Sequence, residues 1–518
     1  MISSIRFLAI GLIVTIGFVS FKTVNRDFDT IAVSGGLISG TVNKDGNIHM
    51  FKGIPFAAPP VGNLRWQAPK PVNAWEGVRK CDVFSASPIQ PAPVPFLCWS
   101  KEFIAPPEPL SEDCLYLNVW SGAKSATEKR PVFVWIYGGG LSSGSAACAI
   151  YDGEEMAKRG VIFVSINYRV GPFGFMAHPE LSKEQNNASG NYGLMDQVAA
   201  LEWVKKNIAA FGGNPHQVTI AGQSAGSMSV NALIASPLAK GLFQGAILES
   251  GGLLGSLVPA SLQSAEAIGV ALQKKAGASG IGELRNKSAA EILKVSGELA
   301  AMRMGLTLDG YVLPVDFMKN FKEGKYNKVP LLMGWVTGDG SLFGKSDITA
   351  EKFVQQANEK YGANAAAYLK VFPANNDSEA QANQSLLTVL GFAALPAYLL
   401  AQYNGKPVFI YEDGYVPTDK PGFPNYGAFH TSEVPYALNT LHLWNRPWKQ
   451  SDYDVQKLMS SYWIQFIKTG NPNGNGLPKW DPYSKAEGTI LEINATTTAK
   501  PGLYKSEFEL LEKLNAGK

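Results

Sequence analysis

The sequence predicts an α/β architecture: a large, mostly parallel central sheet flanked by helices and carrying helical insertions. Three observations carry that expectation. Continuous apolar runs of strand length stop at glycine or turn residues, as strands buried on both faces do. Helical periodicities separate them, in the alternation that builds a parallel sheet with crossover helices. Gly 53 and Pro 32 among 518 residues imply many turns and long connections rather than a helical bundle.

Taken in chain order, the first element is a targeting segment. A lone Arg6 precedes the apolar run Phe7 to Phe21, and Lys22 and Arg26 follow it. The run is shorter than a membrane-spanning helix needs and has the layout of a secretion signal. Residues 1–25 are therefore expected to be a signal peptide, with an uncleaved signal anchor as the alternative because Phe18 spoils a small-residue cleavage site. The expected location is secreted or periplasmic, with no membrane contact beyond this N-terminus.

Residues 31–510 are expected to form a single catalytic domain. Pro131–Tyr137 and Val161–Asn167 read as buried strands. Between Gly193 and Ala210, Leu194, Val198, Leu201, Val204 and Ile208 mark one apolar helical face, which stops at Phe211-Gly-Gly-Asn-Pro215. Val218–Ala221, Gly245–Glu249, Val329–Gly334 and Pro407–Tyr411 read as further strands. The stretches from Pro259 to Met304 and from Ser346 to Tyr403 are helical in pattern and read as insertions that cover the sheet.

Charge narrows the partners. Lys plus Arg 46 against Asp plus Glu 43 leaves a net +3, which gives no electrostatic basis for nucleic acid binding. Cys81, Cys98, Cys114 and Cys148 show no metal-ligand spacing, and no metal or organic cofactor is expected. In an exported protein Cys98 and Cys114, which enclose a Pro-rich loop, are the disulfide candidates, with four buried thiols as the alternative.

Gly222-Gln-Ser-Ala-Gly226 directly follows a buried strand and precedes a helix-compatible stretch. This is the context of a nucleophile elbow, in which small flanking residues let a serine sit on a sharp turn. Ser224 would lie at a helix N-terminus, where peptide N–H groups favour negative charge. Upstream, Gly138-Gly-Gly140 ends another strand. The amides of Gly139, Gly140 and Ala225 are the expected oxyanion hole, since glycines there let backbone donors approach a substrate.

A serine hydroxyl needs a base, and five histidines are available. In α/β-hydrolases the chain order is serine, acid, histidine, which leaves His430 and His442. His430 lies in a glycine-containing loop, whereas His442 stands between two leucines, so His430 is favoured. The orienting acid should follow a strand, and Asp339 stands just beyond Val329–Gly334. Asp309, in a Leu-Asp-Gly turn with no strand ahead of it, is the competitor.

Together with Phe51–Trp66, Ser111-Glu-Asp-Cys-Leu-Tyr-Leu-Asn-Val-Trp120, Asn167-Tyr-Arg-Val-Gly171 and Lys468-Thr-Gly-Asn-Pro-Asn473, these residues resemble the type-B carboxylesterase family, which includes cholinesterases, bile-salt-stimulated lipases and para-nitrobenzyl esterases. The resemblance implies an α/β-hydrolase fold and two-step hydrolysis of a small-molecule ester by Ser224, His430 and the matching acid. It also implies a buried structural ion pair of Glu112 with Arg169. A lipase or aryl-ester hydrolase is the alternative within enzymes; a non-catalytic adhesion protein is the alternative outside them.

Three positions depart from the family pattern. The usual acid is Glu, where this chain has Asp339. Gln223 replaces the glutamate that often precedes the nucleophile, which weakens the case for a cationic substrate. Pro88 stands where the family's first cysteine aligns, so a disulfide from Cys114 would need a shifted partner, Cys98.

Overall fold

A computed structural model describes residues 30–299, 301–302, 304–340 and 346–515. The expected signal segment, residues 1–25, lies outside the described residues. The apolar runs read as buried strands meet in one sheet. In chain order its strands are β1 (Thr41–Val42), β2 (His49–Pro55), β3 (Tyr116–Ser121), β4 (Arg130–Ile136), β5 (Ile162–Ile166), β6 (Gly213–Gln223), β7 (Gly245–Glu249), β8 (Leu331–Val336), β9 (Val408–Asp413), β10 (Ile490–Ile493) and β11 (Thr498–Lys500). Across the sheet the order is β11-β10-β9-β8-β7-β6-β4-β5-β3-β2-β1. The run from β10 to β5 is parallel throughout. Antiparallel pairs close it at both edges.

The central strands are buried on both faces, so they read as unbroken apolar runs rather than alternating ones. Helix α1 (Tyr192–Asn207) turns its apolar stripe inward and passes into a short 3₁₀ turn, Ile208–Phe211, which ends at Gly212 in the left-handed region (φ 79). Helix α2 (Ala225–Ala235) starts at the end of β6 and is buried along most of its length. Helix α3 (Gln450–Thr469) ends on Gly470, again left-handed (φ 72). Both expected insertions are helical: Leu262–Lys275, Ile281–Asn286 and Ala289–Glu298 in the first, Ala350–Tyr361, Ala365–Val371 and Asp377–Tyr403 in the second. The last of these is long and apolar enough to cross a membrane by composition, yet 61% of its apolar window is buried inside the protein.

Two expectations are corrected here. Glu112 and Arg169 do not pair with each other. The Glu112 carboxylate takes the Arg65 guanidinium at both oxygens, with Nε–Oε2 at 2.6 Å, and Arg169 forks onto the fully buried Asp196 of α1 at 2.8 and 2.9 Å. Arg169 also donates its backbone N–H to Asp196 at 3.0 Å, so Asp196 accepts three bonds from Arg169. Cys98 and Cys114 are both free thiols. Cys114 is packed in the core, whereas Cys98 sits in the Phe96–Trp99 turn, whose two backbone hydrogen bonds hold it in place. Pro88 lines the same crevice as Cys114, together with Arg65, Glu112 and Arg169.

Candidate active site

The C-terminal ends of β4, β6 and β8 deliver the loops of the site. Ser224 joins β6 to α2 with φ 58 and ψ −124, a conformation that residues with a Cβ rarely adopt. The neighbouring glycines make it possible. A Cβ on Gly222 would lie 2.5 Å from the Gly226 carbonyl carbon, and one on Gly226 would lie 2.1 Å from the Ile136 carbonyl oxygen. The turn is pinned from the next strand, where the Glu249 carbonyl accepts the Ser224 N–H at 2.9 Å. Ser224 itself stays partly accessible, while Gln223 and Ala225 on either side are buried.

Beyond β4 the chain makes a glycine turn against the elbow. A Cβ on Gly138 would come within 3.0 Å of the Ser224 Cβ, so only glycine allows this approach. Gly139 (φ 111) and Gly140 (φ 63) are exposed, and their amides donate to no described residue. The Gly139 carbonyl is turned away from Ser224, accepting from the N–H groups of Ser142 and Ser143 at 3.1 and 3.0 Å. Ala225 occupies the first position of α2, where the N–H has no partner within the helix. Three backbone donors thus lack partners around one serine. Gln90, which sequence reasoning did not single out, fixes the turn by bonding both the N–H and the carbonyl of Gly144, at 2.8 and 2.9 Å.

His430 and Asp339 meet at the other wall. The His430 Nδ1 lies 2.6 Å from Asp339 Oδ1, with both side chains buried. Their loops are joined by a backbone bridge in which the Gly338 N–H donates to the Ala428 carbonyl at 3.0 Å. A Cβ on Gly338 would stand 2.3 Å from that carbonyl oxygen, so glycine is what lets the loops close. This close approach is how the short Asp side chain reaches the imidazole. Asp309 sits elsewhere: one of its oxygens accepts from the N–H groups of Tyr311, Val312 and Leu313 and caps its own turn. The Ser224 hydroxyl makes no hydrogen bond with a described residue, and the Gln223 amide lies against the His430 ring, with Nε2–Nε2 at 3.1 Å.

Aromatic rings enclose the histidine. Phe392, on a π-helical turn (Leu390–Ala394) of the second insertion, meets it edge-on at 5.6 Å between centroids, and Trp99 does so at 6.4 Å. Trp99 packs at a tilt against the exposed Phe96 at 4.8 Å, which places the Phe96–Trp99 turn beside His430; Phe103 instead packs into the core on Trp444. Behind Asp339 lie more carboxyls. Glu433 accepts from the Ser250 hydroxyl at 2.9 Å and Glu249 from the Trp463 indole at 2.7 Å, each with its second oxygen unpartnered. Burial pushes Glu249 up to about 8 and Asp413 up to about 7. Burial, together with the neighbouring carboxyls of Asp339 and Glu249, holds Glu433 well above the usual carboxylate range.

Comparison with known proteins agrees with this architecture. The Carboxylesterase family matches residues 27–511. The para-nitrobenzyl esterase of Bacillus subtilis is 35% identical over 91% of this chain and 96% of its own length. The fumonisin B1 esterase of Sphingopyxis macrogoltabida is likewise 35% identical, over 89% of this chain and 86% of its own. A solved PNB esterase superposes with a TM-score of 0.81 at 31% identity, covering 93% of this chain and 99% of that one. The family match takes in the whole α/β-hydrolase sheet and the loops around the serine, and on that extent, together with these relatives, the chain belongs to the type-B carboxylesterase family and is a carboxylic ester hydrolase.

Proposed function

We propose that the chain cleaves small carboxylic esters by a two-step route in which Ser224 is the nucleophile, His430 the base and Asp339 its orienting acid. The observation that carries this reading is the buried 2.6 Å contact of Asp339 with His430 Nδ1, made beside a serine on a strained elbow. With Nδ1–H donated to Asp339, Nε2 keeps its lone pair for the serine proton. Ser224 Oγ attacks the ester carbonyl carbon as its proton passes to Nε2. The carbonyl oxygen becomes an oxyanion held by the amides of Gly139, Gly140 and Ala225. The imidazolium then protonates the leaving alkoxide, which departs as the alcohol. In the second half His430 takes a proton from water as the water oxygen attacks the acyl carbon; the Oγ–acyl bond then breaks, His430 returns the proton to Ser224 Oγ, and the acid is released.

The Phe96–Trp99 pair and Phe392 favour an apolar or aryl ester, and the neutral Gln223 offers no charge to a cationic alcohol group. Export of the mature protein is part of the same proposal and rests on the apolar run Phe7–Phe21. Treatment of the purified protein with a fluorophosphonate, followed by peptide mass spectrometry, is expected to give one adduct, on Ser224. Ser224→Ala is expected to remain folded and lose both adduct and turnover. Turnover retained in that variant overturns the assignment.

A further inference from the structure

Gln223 touches the imidazole in an unusual way. Its amide nitrogen is 3.1 Å from His430 Nε2 and 3.4 Å from Nδ1. An amide lying on the lone-pair axis of Nε2 would be far from Nδ1, on the opposite side of the ring. Near-equal distances instead place the NH₂ group over the ring face. Which end of the amide faces the ring is set by a relay. The Trp99 indole N–H can only donate, and it does so to the Thr431 hydroxyl at 3.2 Å. That hydroxyl then directs its own proton to Gln223 Oε1 at 3.4 Å, which leaves the NH₂ end toward His430. Thr431 is buried and held at φ 87, a backbone conformation that costs a β-branched residue free energy, immediately after the base.

We infer that Trp99, Thr431 and Gln223 form a positioning relay that keeps the positive end of the Gln223 amide dipole on the His430 face and biases the imidazole toward its neutral, base-competent form. The electron-rich face of a neutral imidazole accepts an N–H dipole, whereas an imidazolium is repelled by it. A carboxylate at the same position would do the reverse and stabilise the cation. The consequence is an ester hydrolase that keeps its base free at lower pH than a glutamate-bearing version of the same site. The relay acts through His430 and needs no contact with substrate.

Other titratable groups surround the pair: Asp339 after β8, Glu249 at the end of β7, Asp413 at the end of β9, Glu433 after the base, and Cys98 beside Trp99. Asp413 and Glu249, pushed up to about 7 and about 8, ionise in the working range, so the test compares variants that share them.

The inference rests on the serine–histidine reading, and the experiment separates the two. kcat/KM for a neutral nitrophenyl ester is measured against pH for wild type, Gln223→Glu, Thr431→Val and Thr431→Ser. An opposite charge beside a titrating group moves it by roughly one to three pH units, so the acid limb of Gln223→Glu is expected about one unit or more to the alkaline side. Thr431→Val keeps the branched shape but frees the amide to turn its oxygen to the ring; its limb should move the same way by less. Thr431→Ser, which keeps the hydroxyl, should return it. An unmoved limb in Gln223→Glu, or a Thr431→Val profile that superimposes on wild type, overturns the relay. Turnover surviving in Ser224→Ala would instead overturn the reading beneath it.

Discussion

Two buried charged regions lie within this fold, and they are built on opposite rules. Beside α1, Arg169 and Asp196 match charge for charge, with two side-chain contacts and one backbone contact between 2.8 and 3.0 Å. Behind the base, Asp339, Glu433, Glu249 and Asp413 crowd together, and among the described residues none has a lysine or arginine within ion-pair distance. The first region holds a loop and a helix in place through a neutralised pair. The second holds carboxyls whose ionisation is disfavoured, because burial penalises the charge of any acid that no cation attends. Among these acids only Asp339 meets a basic side chain, His430, at 2.6 Å. Its charge is the one in this group set against a base, at His430 Nδ1.

The sharpest way to break this comparison is to remove that charge. Asp339→Asn preserves the shape of the site but presents the wrong hydrogen-bonding partner to Nδ1, and a fall in kcat of about ten-thousand-fold is expected by analogy with other serine hydrolases. Asp309→Asn should leave kcat nearly unchanged and act on stability alone, since Asp309 only caps its turn. Steady-state kinetics of both variants decide it; the reverse ranking would move the acid to Asp309. The paired region should respond in a different currency of measurement. Asp196→Ala leaves the Arg169 guanidinium buried without its partner, at an expected cost of about 3–5 kcal/mol in denaturant unfolding, while kcat per folded molecule changes little. A loss below about 1 kcal/mol would show that water reaches Arg169 and that the pair is not the buried unit its geometry describes.

How far each region could be read from the sequence follows the same division. The strands, the helix of α1 and the elbow were legible because each is a local pattern: a run of apolar residues, a three-to-four spacing, two glycines around a serine. That His430 and Asp339 would stand together was legible through chain order and through the strand that ends just before Asp339. Partners chosen in three dimensions were not. Glu112 and Arg169 stand in recognisable motifs, but their real partners, Arg65 and Asp196, are selected by which side chains the folded loops bring together. Cys98 and Cys114 enclose a loop of suitable length, yet spacing carries no information on direction; one thiol points into the core and the other rides on an aromatic turn. Thr431, Gln90 and Phe392 gave no signal, because a threonine after a histidine, a glutamine in a loop and a phenylalanine in an apolar helix are ordinary until the fold places them around the site.

The last prediction sharpens the comparison from the acid-rich side. Glu249 is fully buried, accepts one bond from Trp463 and leaves its other oxygen without a partner. Its carboxyl is raised from an ordinary 4.5 to about 8 in the folded protein, mainly by burial. The folded state therefore holds a proton that the unfolded chain releases near pH 4.5. Stability from this group is complete below that point, falls as the pH climbs toward about 8, and reaches its lower level once the folded carboxyl has ionised as well. Glu249→Gln keeps an oxygen for the Trp463 indole and removes the ionisation, so its unfolding free energy should decline less than that of the wild type between pH 5 and pH 8 (a range set by those two values). Denaturant unfolding at several pH values measures the difference between the two curves. A difference that grows with pH means that neutral carboxyls are a condition of this region's packing. A constant difference means that Glu249 is already ionised and that a cation or water compensates it, in which case the contrast with Arg169–Asp196 fails.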